Sequence, residues 1–372
     1  MLRSFQWLTA LVLTLLLAGC VISPRRPDPN AVTNPAPTPT PTPTPTPPPP
    51  TPVGKLYVSN TASASIVRFD DALAATTTGN IAPAATIKGA ATLLDTPQYI
   101  LLDTAADRLY VADPGNPTTG NPAILVFESV STKTGNVPPN RVIAGAATVL
   151  TQPVDLSLDK GRDLLYVIDG QDVQVFSSAS TSSGNVAPAR TLAAGFNIGA
   201  ILVDAANDRL FLADLGGNAI NIYDGASALP TGVITATRSL SGPTTGLQRP
   251  SGIRIDSNGR LVVSNFNAPI SITMYTGAAT VAGDTAPAAT ISGANTAFTG
   301  LSQITLRSVG ATTDELYVAD VSGKALIFAN LSGATGNIAP TRNISGANTG
   351  LGSGSPAAGA QTVHGVAIDP TH

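Results

Sequence analysis

The chain of 372 residues is long enough for two average domains, yet only 12% of its residues are charged and its net charge is −3. With so little positive charge it offers no basic face to hold nucleic acid against salt, so a nucleic-acid partner is excluded. Its single cysteine, Cys20, excludes disulfides and clustered thiolate metal sites. Abundant glycine, alanine, threonine and serine, without long helical patterns, predict an all-β chain with many turns.

Residues 1–19 have the parts of an export signal: positive charge from Arg3, then an apolar stretch from Leu8 to Leu17 that is too short to span a bilayer. The segment from Leu17 to Cys20, Leu-Ala-Gly-Cys, resembles the bacterial lipobox. That resemblance implies cleavage before Cys20, thioether attachment of diacylglycerol to its sulfur, and acylation of the new N-terminus by a fatty acid such as palmitate. We therefore expect a lipoprotein that is anchored in the cell envelope through several acyl chains.

Residue 21 is Val rather than Asp. By analogy with known sorting rules, this favours the outer membrane, with the exported body periplasmic or surface-exposed. The rest of residues 20–53 is a tether rich in alternating Thr and Pro, ending in a run of prolines at Pro50. Proline lacks the N–H that helices and sheets need and restrains its predecessor, so we expect a disordered, extended polyproline II stalk.

From Gly54 onward one pattern recurs six times, 45 to 56 residues apart. Its clearest element is Leu-Tyr-Val-Ala-Asp or a close variant, and the six copies begin at Leu56, Leu109, Leu165, Leu210, Leu261 and Leu316. An apolar strand ending in Asp precedes most copies, and a short strand ending in an aromatic residue follows each. A turn of the type Gly-Asn-x-Ala-Pro comes next in most copies, and then a fourth strand. Four strands, a to d, at this period suit one blade of a β-propeller.

The two ends of this region predict how the ring closes. The repeats begin at strand b, at Lys55, with no strand a before it. The last segment, His364 to Asp369, is an unpaired strand a. Pairing it with the first blade removes the open edges and completes six blades. The predicted fold is therefore an all-β, six-bladed propeller of four-stranded blades over residues 54–372.

The repeats resemble the NHL and YVTN classes of propeller, through Leu-Tyr-Val-Ala-Asp and through Pro-Ser-Gly-Ile-Arg-Ile-Asp at Pro250 to Asp256. The resemblance covers Gly54 to Asp369 and implies a fold more than a function, because propellers serve as protein binders, ligand binders and enzymes alike.

Positions that break the repeat are better candidates for a site than positions that recur. Ligands of propellers usually enter on the face shared by the d–a and b–c loops, where strand a begins. Five unusual polar residues fall in strand a, and we expect them to form a polar, partly aromatic mouth for a ligand: Tyr99, Asp155, Arg254, Gln303 and His364. The alternative is a water-lined channel without a ligand.

A recurring Asp or Asn ends strand b in every blade, at Asn60, Asp113, Asp169, Asp214, Asn265 and Asp320. A ring of cation-binding carboxylates is one interpretation. The other interpretation is that these side chains stabilise the b–c turn, as in Asx turns. We favour this second interpretation for a position that is repeated six times.

These observations favour a non-catalytic scaffold that binds an envelope or extracellular protein, or a small ligand. We expect no cofactor, no metal and no catalytic residues. The long loop from Pro114 to Pro122 departs from its repeat equivalents and is a candidate contact for a partner. One alternative is a metal-dependent hydrolase of the lactonase or gluconolactonase type, but Glu128 and Glu315 are the only mature glutamates and both lie away from the mouth. Another is a propeller that binds carbohydrate or small molecules.

Overall fold

The computed structural model describes residues 54–115, 121–352 and 362–372. The predictions for the signal, for Cys20 and for the tether lie outside these residues, as does the middle of the loop from Pro114 to Pro122. Within the described ranges, the helices are single 3₁₀ turns, and none has the length and apolarity needed to cross a bilayer.

The described strands form six sheets, one per predicted repeat, each with four antiparallel strands, and the third sheet has a short fifth strand that pairs parallel. The first three blades comprise β1 (Lys55–Asn60), β2 (Ser65–Asp70), β3 (Ala85–Lys88); β4 (Ile100–Asp103), β5 (Arg108–Asp113), β6 (Ala123–Glu128), β7 (Arg141–Ala144); and β8 (Pro153–Asp159), β9 (Leu164–Asp169), β10 (Asp172–Ser177), β11 (Arg190–Ala193). The fourth comprises β12 (Ile198–Asp204), β13 (Arg209–Asp214), β14 (Ala219–Asp224) and β16 (Arg238–Leu240), while β15 (Gly232–Val233) pairs with β11 of the third. The last two comprise β17 (Pro250–Ile255), β18 (Leu261–Asn265), β19 (Ser271–Tyr275), β20 (Ala289–Ser292); and β21 (Leu301–Ser308), β22 (Asp314–Asp320), β23 (Lys324–Phe328), β24 (Arg342–Ser345).

The last strand, β25 (Val363–Asp369), completes the first blade. It pairs antiparallel with β1, with Lys55 opposite Asp369 and Val58 opposite Val366. This is the closure that the sequence predicts, and it joins the two ends of the described body in one sheet. The protein is a six-bladed β-propeller.

The apolar core is divided among the blade interfaces. Six clusters of buried apolar side chains each take members from two adjacent blades, so every interface has its own cluster. This follows from alternation along each strand, because a blade between two neighbours must bury both of its faces. The Leu and Val of each Leu-Tyr-Val-Ala-Asp copy therefore pack towards one neighbour and the Tyr towards the other.

The Gly-Asn motif, expected as a turn, also links neighbouring blades at the outer edge of the ring. Gly135 donates its N–H to the carbonyl of Thr86 in the preceding blade, at 2.7 Å, and accepts from the N–H of Lys88 at 3.1 Å. Asn136 Oδ1 accepts from the N–H of Ala91 at 2.7 Å. Equivalent glycine bridges occur at four other interfaces, and β15 replaces the motif at the remaining one.

Glycine is required in this link by close approach. A Cβ on Gly89, whose φ is +123°, would come within 2.5 Å of Asn136 Oδ1. The recurrence of Gly-Asn in the sequence therefore reflects blade-to-blade attachment as well as local turn geometry.

Candidate functional site

Strand a sets the depth of each side chain along the channel. In five of the six blades its pairing with strand b shifts register near the start, and the following residues alternate between the channel and the core. The first channel-facing positions of the six blades line one cavity at the face shared by the d–a and b–c loops: Gln98, Val154, Gly199, Ser251, Ser302 and His364. The cavity has a volume of about 390 Å³, within the usual range for a small-molecule site.

The next position in each blade forms a buried layer beneath this cavity. Three of its residues have large polar side chains and three are small, in the order of the blades from the second to the first: Tyr99, Asp155, Ala200, Gly252, Gln303 and Gly365. The glycines make room for their neighbours, since a Cβ on Gly365 would lie 2.9 Å from the carbonyl oxygen of Gln98. We call this layer the plug.

Hydrogen bonds cross the axis within the plug. The Tyr99 hydroxyl donates to the carbonyl of Ser251 in the opposite blade, at 2.7 Å. The Gln303 amide donates to the carbonyl of Ile100 at 2.9 Å, and its oxygen accepts from the N–H of Val366 at 2.8 Å. These bonds join blades 1, 2, 5 and 6, and the cross-linked plug forms the floor of the cavity above it.

Asp155 is the one carboxylate of the plug. Its oxygens accept from the N–H of Leu156 at 2.8 Å and from the N–H of Ile201 in the next blade at 3.0 Å. Burial raises the pKa of this carboxyl to about 6, although the Arg254 charge and these hydrogen bonds oppose the rise. The carboxylate is therefore committed to backbone N–H groups rather than presented to a ligand.

His364 differs from Asp155 in having no partner. No hydrogen bond joins its imidazole to any residue of the described ranges, although its ring lines the cavity. Burial lowers the pKa of His364 to about 4, so the ring is neutral at pH 7 and can offer one donor and one acceptor.

The five residues predicted for the mouth therefore occupy three depths. His364 lines the cavity, and Tyr99 belongs to the plug but also contributes to the cavity lining. The placement of Asp155 and Gln303 at the mouth is wrong, because both side chains are buried below it in the plug. The placement of Arg254 is also wrong, since it lines a separate cavity at the opposite end of the channel. Asp155 and Gln303 lie within the register shifts at the start of their strands, whereas Arg254 lies beyond the shift in its own strand.

Several residues of the cavity were missed because they lie in loops rather than in strand a. Gln152, Asn197 and Arg249 come from d–a loops, and Leu215 and Phe266 come from b–c loops. Loops vary between repeats, so the repeat pattern carried no sign of their approach to the axis. The one available signal was adjacency, since Gln152, Asn197 and Arg249 lie just before strand a.

The Asp and Asn residues that end strand b act as structural acceptors. Asp113 accepts from the N–H groups of Asp95, Thr96 and Gly115, at 2.8 to 3.0 Å. Asp169, Asn265 and Asp320 bind their own d–a loops in the same way. Four of the six side chains accept N–H bonds from their own b–c loops, as Asx turns do: Asn60, Asp113, Asp214 and Asp320. Asp169 and Asn265 instead bind the d–a loop.

Other acidic groups lie away from the mouth. Glu128 pairs with Arg108 and Arg141, and Glu315 pairs with Arg307 and Arg342. Among the described residues, one group of three possible metal ligands comes close together: Asp107, Asp369 and His372. It lies beyond the outer end of strand a, and Asp107 and Asp369 already accept hydrogen bonds from Ser131 and Thr371.

No protein-family model matches the chain, and no curated protein matches it. Among solved structures, a chain from a nidogen/laminin complex is similar with a TM-score of 0.53 and 12% identity, over 85% of this chain and 98% of that chain. A functionally unknown protein from Desulfotomaculum acetoxidans DSM 771 matches with a TM-score of 0.47 and 14% identity, over 76% of this chain and 77% of that chain. At such identities the first likeness is one of fold alone, and the resemblance to NHL and YVTN repeats stays a prediction.

Proposed function

We propose that this protein is an envelope lipoprotein, anchored by lipid on Cys20, whose propeller binds a ligand at the mouth as a non-catalytic scaffold. The observation that carries the binding role is the cavity of about 390 Å³ above the plug. Hydrogen bonds cross-link its floor, and its walls hold polar side chains that have no protein partner in the described residues. Pre-formed cavities with a few convergent polar groups are the usual form of a ligand site.

Two features of the site favour binding over catalysis. Nucleophilic catalysis needs a base within hydrogen-bond reach of its nucleophile, and His364 makes no such bond to any described side chain. Metal-dependent hydrolysis needs several fixed oxygen ligands around one open position. The lining residues of the cavity include no carboxylate, and Asp155 below them is occupied by backbone N–H groups.

The envelope address comes from the sequence alone. Export, lipidation at Cys20 and an extended tether over residues 20–53 would hold the propeller at a distance from the membrane surface. The outer membrane is the proposed location. A Cys20→Ser variant is expected to be released or to remain as uncleaved precursor, as shown by membrane fractionation and acyl labelling. Normal fractionation and labelling of the variant would overturn the lipoprotein assignment.

The binding role is tested by blocking the mouth. Asn197 is exposed, lines the cavity and makes no side-chain hydrogen bond in the described structure, so Asn197→Trp fills the mouth without disturbing the core. Compounds that bind the wild-type chain in a small-molecule screen by ligand-observed NMR are expected to lose binding to this variant. Binding that is unchanged in Asn197→Trp, or that is absent from the wild type, would overturn the proposal.

The catalytic alternative has its own assay. We expect no stoichiometric metal in the isolated protein and no lactone hydrolysis with added calcium, manganese or zinc. Bound metal and turnover that are both lost in Asp155→Ala would overturn the non-catalytic role and favour the lactonase-like alternative.

A further inference from the structure

The mouth contains one permanent charge, and it is unpaired. Arg249 lines the cavity, and no Asp, Glu or Lys lines it. In residues 54–115, 121–352 and 362–372, Arg249 is the one arginine whose guanidinium neither donates a hydrogen bond nor pairs with a carboxylate. Each of the other arginines of these ranges donates to a carboxylate or to a backbone carbonyl, so Arg249 stands apart from them.

Arg249 is exposed at the rim of the cavity, where one contact positions its guanidinium and two hydrogen bonds hold its backbone. The guanidinium lies over the ring of Phe266 at a cation–π distance, with Cζ 5.3 Å from the ring centroid. The Arg249 backbone has a positive φ of 53° and is held by its N–H to Asn218 Oδ1 at 2.7 Å and by its carbonyl, which accepts from Phe266 N–H at 3.1 Å. No acceptor for the guanidinium N–H groups lies within hydrogen-bond distance among the described residues, so these N–H groups are available to a ligand.

The rest of the cavity wall is neutral. His364 is uncharged at pH 7 because burial lowers its pKa to about 4. Gln152 and Asn197 have amides without hydrogen-bond partners in the described structure, and Leu215 and Phe266 supply apolar surface. A positive group above neutral polar and apolar walls favours a ligand with one negative end and an apolar body.

We infer that the mouth binds a small carboxylate with a flat apolar body, and that Arg249 receives the carboxylate through paired N–H bonds. The inference rests on the proposed binding role of the same cavity. Planar guanidinium and carboxylate groups match in geometry, and charge-assisted pairs are stronger than neutral hydrogen bonds. The Phe266 ring orients the guanidinium and adds a surface for the body of the ligand. The carboxylate belongs either to a free organic acid or to the C-terminus of a peptide, because both present the same group.

The experiment measures binding of matched acids and amides to the purified full-length chain. The probes are benzoate, phenylacetate and cinnamate with their primary amides, and the tripeptide Gly-Gly-Phe with a free or amidated C-terminus. The acids are expected to bind about ten- to a hundredfold more tightly than their amides, which is the usual effect of one charge-assisted hydrogen-bonded pair. Preference for the free acids or for the peptide acid distinguishes the two sources.

Substitutions then assign the preference to Arg249. Arg249→Gln is expected to weaken acid binding far more than amide binding, so that the preference for the acids is lost. Lys88→Gln removes the same charge from an exposed position on an outer strand, away from the cavity, and is expected to change neither. Added salt is expected to weaken acid binding in the wild type and not in Arg249→Gln.

The outcomes separate the two proposals. Acids and amides that bind equally, both blocked by Asn197→Trp, would overturn the carboxylate inference and leave the binding role standing. An acid preference that survives Arg249→Gln would overturn the assignment to this residue. Probes that bind nowhere, or bind the Asn197→Trp variant as well as the wild type, would overturn the binding role and the inference with it.

Discussion

A substitution at Val366 tests directly whether the closing strand packs into the core and stabilises the ring. It lies in β25, is fully buried, and packs in the cluster between the sixth and first blades with Val58 and Val363. Its N–H also donates to Gln303 of the plug. Val366→Ala removes buried methyl groups from this interface and keeps the backbone bond.

The expected loss follows from the burial. Removing two buried carbon groups costs about 0.8 kcal/mol each in transfer free energy, and the space that they leave adds to this. We therefore expect a decrease of about 2 to 3 kcal/mol in the free energy of unfolding. That is a large part of the net stability of about 5 to 15 kcal/mol that is typical of folded proteins.

Urea unfolding followed by far-UV circular dichroism measures this loss, provided that the transition is cooperative and its slope is unchanged. Val233→Ala is the matched control, because Val233 is 84% exposed and the same change there should cost less than about 0.5 kcal/mol. If Val366→Ala unfolds at the same urea concentration as Val233→Ala, the closing strand does not pack as described and the estimate is refuted.

Three further predictions concern the closure of the ring, the Gly-Asn link between blades and the plug. Deleting residues 361–372 is expected to lower the melting temperature of the whole propeller, and a truncated chain that melts like the intact one would contradict closure by β25. Asn337→Ala removes the hydrogen bond of 2.7 Å that Asn337 Oδ1 accepts from the Asn295 N–H between blades 5 and 6. We expect the free energy of unfolding in urea to fall by about 1 kcal/mol, and no change would show that this Gly-Asn link does not stabilise the ring. Because the folded pKa of Asp155, about 6, exceeds its ordinary value of 3.8, its contribution to stability is full below pH 3.8 and is lost as pH rises through 6. Wild type should therefore lose stability relative to Asp155→Asn over this range in unfolding measured at several pH values, and parallel pH profiles would contradict the assignment.

The sequence by itself determined the architecture. Six copies of Leu-Tyr-Val-Ala-Asp, each with its neighbouring strands, predicted six four-stranded blades, and the strand from His364 to Asp369 predicted the closure. These features are readable because strand alternation and repeat period are local properties of the chain, and because a repeat is seen six times. The role in the b–c turn of four of the Asp and Asn residues that end strand b was predictable for the same reason.

Only the tertiary structure decided which residues share the mouth. A register shift at the start of strand a moved Asp155 and Gln303 into the plug, and Arg254 lies at the far end of the channel. Arg249 and Phe266 meet through two loops of one blade that are adjacent only after the strands pair. The depth of a side chain along the axis and the contacts between loops depend on how six sheets pack around one centre. The repeat pattern of the sequence does not encode the distance between residues that come together only when the ring closes.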